Sequence, residues 1–217
     1  MNRGQLPSYY PIFLKISGKR CVVVGGGQVA LRKVRTLLEH GASVAVISSD
    51  LCSEMNKLAD SGEIGVLQRS YQPGDLQDAV IAIAATNDTN TNLEVAKEAR
   101  RKAVLVNMVD DPKDSDFIAP SYIRRGDVTI AISTGGRSPA LARKIRTKLE
   151  GDFGDEYAPL ALLINEVRAE VKRQRIKVNG KAWQEALDLD LMIDLLRRGD
   201  NGKAKAILLS NLKRRQK

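Results

Sequence analysis

Histidine occurs once in the 217 residues, at His40, and cysteine twice, at Cys21 and Cys52. A metal site built from histidine and cysteine is nearly excluded by that scarcity. Cys21 opens an apolar run and Cys52 sits at a polar helix start, so they make neither a metal pair nor a disulfide framework. His40 falls just before Gly41, at the end of a predicted helix, where an imidazolium can face unpaired carbonyls. Aromatic residues make up 4% of the chain, which leaves few platforms for stacking nucleic-acid bases. No run of about 18 apolar residues is present, as a membrane-spanning helix would need. The N-terminal stretch MNRGQLPSYYPIF has no apolar core suited to a secretory signal, and the expectation is a soluble, cytoplasmic protein.

Positive charge is in excess: 35 Lys and Arg stand against 26 Asp and Glu, a formal net charge of +9. Such a balance attracts a polyanion, either nucleic acid or a small molecule carrying several carboxylates. The hydrophobic content of 43% fills one core of about 100 to 150 residues with a smaller attached unit, so two domains are expected rather than one.

Short β-branched runs alternate with amphipathic helical runs through the first half. CVVV, SVAVIS, IGVLQ, AVIAIAAT and AVLVN read as strands, with helices at Gln28 to His40, Leu51 to Ser61 and Thr89 to Arg101 between them. Alternation of this kind implies βαβ units and a parallel sheet covered by helices on both faces. After Pro112 the pattern changes. DVTIAIS reads as a further strand with no apparent partner, which a second copy of the chain would supply. The turn TGGRSP then leads into a basic helix starting near Ser138 and Pro139. Beyond Gly151 only helices are expected: Tyr157 to Lys172, Ala182 to Leu196 and Lys203 to Leu212.

Gly25, Gly27 and Ala30 fit the pattern G-x-G-x-x-G/A, directly after the strand CVVV and directly before a helix. Each position has a steric reason. Gly25 permits the tight turn, Gly27 leaves room for a pyrophosphate against the backbone, and Ala30 lets helix and strand pack closely. The free N–H groups of the helix start then meet the phosphate charge. The acidic residue of the fingerprint, expected at the end of the second strand to hold a ribose, is replaced by Ser48 and Ser49, with Asp50 next. Asp50 can bind the ribose or cap the following helix. No arginine sits beside the serines to receive a 2′-phosphate, and the balance leans to NAD.

Two more strand ends should face the same crevice, because parallel sheets place ligands beyond the carboxyl ends of their strands. The first carries Thr86, Asn87 and Asp88, which can hydrogen-bond at the nicotinamide end, unless Asp88 or Thr89 caps the next helix. The second carries Asn107, Asp110 and Asp111 before Pro112. A turn accounts for Asp111 and Pro112, and Asp110 is the better candidate for proton transfer.

The segments YYPIFLKISGKRCVVVGGGQVALRKVRTLLEHGASVAV, AIAATND, NMVDDPKDSDFIAPSYIRRGDVTIAIST and GGRSPALARKIRTKLE together resemble the precorrin-2 dehydrogenase/sirohydrochlorin ferrochelatase module of siroheme synthases. The likeness spans about residues 9 to 150 in order and spacing; the last third matches only in being helical. The chain carries no methyltransferase domain and so resembles the stand-alone form. The resemblance implies a Rossmann-type parallel-sheet domain over 1–113, a small α+β dimerisation segment over 114–150 and a C-terminal helical domain over 151–217. It implies oxidation of precorrin-2 to sirohydrochlorin with NAD, and in many members insertion of ferrous iron to give siroheme. The functional aspartate of the family falls on Asp110. The nucleotide contacts fall on Gln28 and Val29 after the glycines and on Ser49 and Asp50 after the second strand. The implied partners are the tetrapyrrole, ferrous iron as a further substrate and a second copy of the chain, with no nucleic acid and no membrane.

Two features agree without the family name. Precorrin-2 carries eight carboxylates, a polyanion of the kind that the charge requires. From Ile118 to Leu149 the basic residues Arg124, Arg125, Arg137, Arg143, Lys144, Arg146 and Lys148 stand against the single acid Asp127. A solvated helix face accounts for some of them. The turn adds the hydroxyls of Ser133, Thr134 and Ser138 and the backbone of Gly135, so these residues and Arg137 are the candidate substrate contacts. A reading from another class is an NAD(H)-sensing regulator with a DNA-binding helical part. Against it, residues 151–217 hold 14 basic and 10 acidic side chains, a modest net charge.

Overall fold

The computed structural model describes residues 9–109 and 111–215. The chain divides after Ala119 into two compact units. In the first, strands β1 (Arg20–Val24), β2 (Ser43–Ile47), β3 (Gly65–Leu67), β4 (Ile81–Ala84) and β5 (Leu105–Met108) form one parallel sheet in the order β3-β2-β1-β4-β5. Strands buried on both faces read as unbroken apolar runs rather than as alternation, which is why CVVV and AIA look as they do. Within each run, successive side chains still enter opposite layers. Cys21 and Val23 pack on helix α1 (Gln28–Glu39) and on Met55 of helix α2 (Ser53–Asp60). Val22 and Val24 pack with Val95, Ala96 and Ala99 of helix α3 (Thr89–Arg101). The expected α/β, Rossmann-type sheet is therefore the fold of this unit. Burial pushes the Cys21 thiol up to about 11, so it stays protonated as a small core residue.

The crossover from β3 to β4 has no helix. Residues 68–80 instead cover the sheet by inserting Tyr71, Leu76 and Ala79 into the α3 layer. Arg69 grips Asp75 through two hydrogen bonds, of 2.8 and 2.7 Å, and Arg20 donates to the carbonyls of Gln77 and Asp75. α3 ends at the C-cap Lys102, after which Ala103 adopts φ +55. Ala103→Gly is expected to raise stability by about 1 kcal/mol, read as an increased midpoint in urea unfolding, because only glycine takes that conformation without a Cβ clash.

The second unit opens with β6 (Ser121–Arg125) and β7 (Val128–Ile132), paired antiparallel through the turn at Gly126 and Asp127. Gly126 takes φ +57, and a Cβ on it would meet Ala158 Cβ at 2.9 Å. The expectation of a lone strand in need of a partner from another subunit is thus corrected: the partner is SYIRR, immediately upstream. Its mixed polarity hid it, since only Ile123 of the five is buried. Helix α4 (Pro139–Asp152) packs on both strands. Helices α5 (Tyr157–Arg173), α6 (Gly180–Ala186), α7 (Leu189–Arg197) and α8 (Asn201–Lys213) complete the unit around Leu160, Leu163, Val167, Met192 and Leu208. The single helix expected over Ala182 to Leu196 is two, because Asp188 leaves helical geometry and accepts from Leu191 N–H at 3.1 Å to cap α7. No helix among the described residues is long and apolar enough to cross a membrane.

Candidate functional site

A cleft of about 590 Å³ opens at the carboxyl ends of β1, β2 and β4. The strand order reverses at β1, and that is where open α/β sheets receive ligands. The three glycines after β1 have different reasons to be glycine. Gly25 takes φ +125, and a Cβ on it would lie 2.4 Å from the Ala85 carbonyl oxygen. A Cβ on Gly26 would lie 1.9 Å from the Asp50 carbonyl oxygen, while the Gly26 carbonyl accepts from Cys52 N–H at 2.9 Å. Among the described residues, no atom lies within 4 Å of where the Gly27 Cβ would be. Gly27 is the N-cap of α1 and supplies no side chain to the first N–H groups of that helix. An open space beside an uncapped helix start fits a diphosphate. Ala30, the last position of the fingerprint, is fully buried.

Of the candidate contacts, Gly25, Gly27, Ser49, Asp50, Thr86 and Asn87 line this one cleft. Gln28 and Val29 begin α1 and are exposed, outside the lining residues; Gln28 Nε2 donates to Glu54 at 3.3 Å. Of the two roles open to Asp50, the structure removes the cap of α2. α2 is preceded by Cys52 as its N-cap, so Asp50 caps nothing and instead accepts from the Ser49 hydroxyl at 2.9 Å. Asp88, in contrast, is the cap of α3, accepting from Asn90 N–H and Thr91 N–H. The Thr91 hydroxyl, foremost, and those two N–H groups hold its carboxyl below the usual range.

Sequence reasoning passed over Asn92. Its amide oxygen accepts from the Thr86 N–H and hydroxyl, and its amide nitrogen donates to the Thr86 carbonyl. The peptide and hydroxyl of Thr86 are thereby held by α3, and Asn87 is the freer polar neighbour. Tyr71 was also missed, since nothing in QRSYQPG marks it as part of a cleft. Tyr71 lines the site, and its hydroxyl donates to Glu98, whose carboxylate also accepts from Gly74 N–H. Burial, then the Glu98 hydrogen bond, raises the Tyr71 phenol and keeps it a donor.

Burial alone would raise the Glu98 carboxyl as well, but Tyr71, Gly74 N–H and Lys102 together hold it below its ordinary 4.5. A depressed folded value means stability that is present above the unfolded value and lost as pH falls through the folded one. Glu98→Gln should therefore flatten the decline in urea stability as pH falls below the ordinary carboxyl value of 4.5. Tyr71→Phe should cost about 1–3 kcal/mol at pH 7 by leaving that buried acceptor short of a donor.

Asp110, the candidate base, lies outside the described residues. Beside it in sequence, Val109 N–H donates to the Ala84 carbonyl, and Asp111 caps a 3-10 turn over Pro112–Asp114 by accepting from Lys113 N–H at 3.1 Å. Asn107 is buried and structural: its amide donates to the Phe117 carbonyl at 3.0 Å, and its oxygen lies 3.4 Å from Lys33 Nζ.

Ser133, Thr134, Gly135, Arg137 and Ser138 belong to the second unit, in the turn between β7 and α4. Much of their polarity is spent within the turn. The Thr134 hydroxyl bonds both the N–H and the carbonyl of Ser138, Ser133 Oγ accepts from Gly135 N–H, and Ser138 Oγ caps α4 through Leu141 N–H. Arg137 is exposed. It pairs with no carboxylate among the described residues, and neither do Arg143, Lys144 and Lys148 of α4, whereas Arg125 faces Asp155 and Arg146 faces Glu150.

Residues 12–121 match the model of a family described as putative NAD(P)-binding. The chain belongs to that family. A second model, described as the central part of sirohaem biosynthesis proteins, matches residues 125–151. Among curated proteins the chain is 40% identical over 200 residues to the siroheme synthase of Chromobacterium violaceum, covering 91% of this chain and 42% of that protein. It is 38% identical over 198 residues to siroheme synthase 1 of Aeromonas salmonicida, covering 90% and 42%. The chain thus spans about two fifths of the length of the curated relatives it matches. The solved structure of SirC, precorrin-2 dehydrogenase, superposes with a TM-score of 0.72 at 25% identity, over 91% of this chain and 99% of that one. The resemblance read from the sequence motifs is borne out by these matches, as is the fold that it implied.

Proposed function

We propose that the protein oxidises precorrin-2 to sirohydrochlorin with NAD, in siroheme biosynthesis, and that it inserts ferrous iron into the product as a second activity. The observation that carries this reading is the open, uncapped start of α1 at Gly27, at the switch point of the sheet, in a chain similar to siroheme synthases and to SirC. The main chain at Gly27, Gln28 and Val29 holds the diphosphate, Ser49 and Asp50 the adenosine ribose, and Thr86 and Asn87 the nicotinamide half. Bound there, the cofactor supplies a hydride acceptor. Asp110 takes the proton that leaves the neighbouring atom of the macrocycle, and assists loss of the pyrrole protons when iron enters. The macrocycle is itself the metal's ligand set.

Ser133, Thr134, Gly135, Arg137 and Ser138 meet the substrate carboxylates. Because the hydroxyls already serve the turn, Arg137 and the backbone carry most of that attraction. Residues 114–150 form the dimerisation segment of a cytoplasmic homodimer, between the 1–113 nucleotide domain and the 151–217 helical domain. The test is to mix purified protein, precorrin-2 and NAD, follow the tetrapyrrole spectrum, and then add ferrous iron. Two successive absorbance changes are expected; one change restricts the protein to the dehydrogenase, and none refutes the reading.

A further inference from the structure

Building on the reading of the cleft as a NAD site, we propose that Asp75 sets the choice between dinucleotides by holding Arg69 away from the adenosine ribose, so that the cleft accepts a free 2′-hydroxyl and rejects a 2′-phosphate.

Among the described residues no lysine or arginine lines the cleft, and the charged residues that do are Asp50 and Asp88. Asp88 is committed to capping α3. Asp50, joined to Ser49, stands at the end of β2, where an acceptor suits a ribose hydroxyl and repels a phosphate. A phosphate there needs a cation, and guanidinium is the group that grips it in two-pronged fashion.

One guanidinium is fastened to the wall of the cleft. Arg69 Nη1 donates to the carbonyl of Ser70, a lining residue, at 2.9 Å. The same group is closed off by Asp75: Nη1 to Oδ2 at 2.8 Å and Nη2 to Oδ1 at 2.7 Å. The Asp75 side chain is 9% exposed and accepts Gln72 N–H as well, so the partner that neutralises Arg69 is itself anchored in the loop. The Arg69 hydrogen bond keeps the Asp75 carboxyl ionised to low pH. Asp75 is a positioning residue: it acts on the ligand only through the cation that it occupies.

The test is a double-mutant cycle on the full chain, measuring affinity for NAD and for NADP by titration calorimetry. The wild type should prefer NAD by about 10²-fold, the scale of charged hydrogen bonds gained by one ligand and refused by the other. Asp75→Ala should cut that preference to about tenfold or less by releasing Arg69. Arg69→Ala should leave it unchanged, and Arg69→Ala combined with Asp75→Ala should restore it. Asp75→Asn, which keeps an oxygen for Gln72 N–H, is the variant to use if the alanine variant does not fold, with the same direction expected. A preference that survives both Asp75 variants, or a relaxation that persists without Arg69, overturns the proposal and leaves the NAD site standing. A wild type that binds NADP as well as NAD also overturns it. A wild type that binds neither brings down the underlying reading with it.

Discussion

Replacing Gly27 by valine is expected to leave the protein folded and to lower its affinity for NAD by about 10²-fold, the scale of misplacing a ligand by about an ångström. Among the described residues no atom lies within 4 Å of the new Cβ, and Gly27 has φ −85, a conformation open to any residue, so the fold has nothing to resist. What the side chain occupies is the space assigned in the proposed site to the diphosphate, beside the α1 N–H groups. Gly26→Ala is the control. Its Cβ would sit 1.9 Å from the Asp50 carbonyl oxygen, so the damage should appear as lost thermal stability before any question of binding arises. Calorimetric titration with NAD and a melting curve for each variant separate the two. Unchanged affinity in Gly27→Val would remove the diphosphate from this turn.

Asp110→Asn is expected to lower kcat for precorrin-2 oxidation by about 10²–10⁴-fold, the usual contribution of a positioned acid or base. The Kd for NAD should not change, because the side chain assigned to the proton has no part in holding the diphosphate. Single-turnover measurement with NAD in excess isolates the chemical step. Normal turnover in a folded, NAD-binding Asp110→Asn protein would take the base assignment away from this residue. Loss of iron insertion in the same variant would place both activities on one carboxylate.

These two expectations draw on different levels of the molecule. The turn at Gly27 was legible in sequence because the fingerprint couples a strand, a turn and a helix within a dozen residues, and local sterics decide all three. Yet the spacing G-x-G passes over Gly26, which the structure shows to be as constrained as Gly25, since its constraint comes from the carbonyl of Asp50 on another strand's loop. Asp50 was ambiguous for the same reason: whether it caps a helix depends on where α2 begins, and the cap turned out to be Cys52. Asn92 and Tyr71 were not legible at all. An asparagine inside a helix and a tyrosine in a loop have no periodicity that reports a contact with Thr86 or Glu98.

Local order alone was enough for the parallel sheet, the helices around it and the glycine turn. Runs of β-branched residues, helical spacing and a side-chain-free bend each act over a few neighbours, and every level of pattern pointed the same way. Chain pairings and the fate of charges needed the folded chain. That SYIRR, with one buried residue, is the partner of DVTIAIS, and that the guanidinium at the cleft wall is closed off by Asp75, are outcomes of distances in space. A polar side chain carries no mark in the sequence of which other group it will meet, because hydrogen bonds and ion pairs are made at 3 Å, wherever the fold brings the two atoms together.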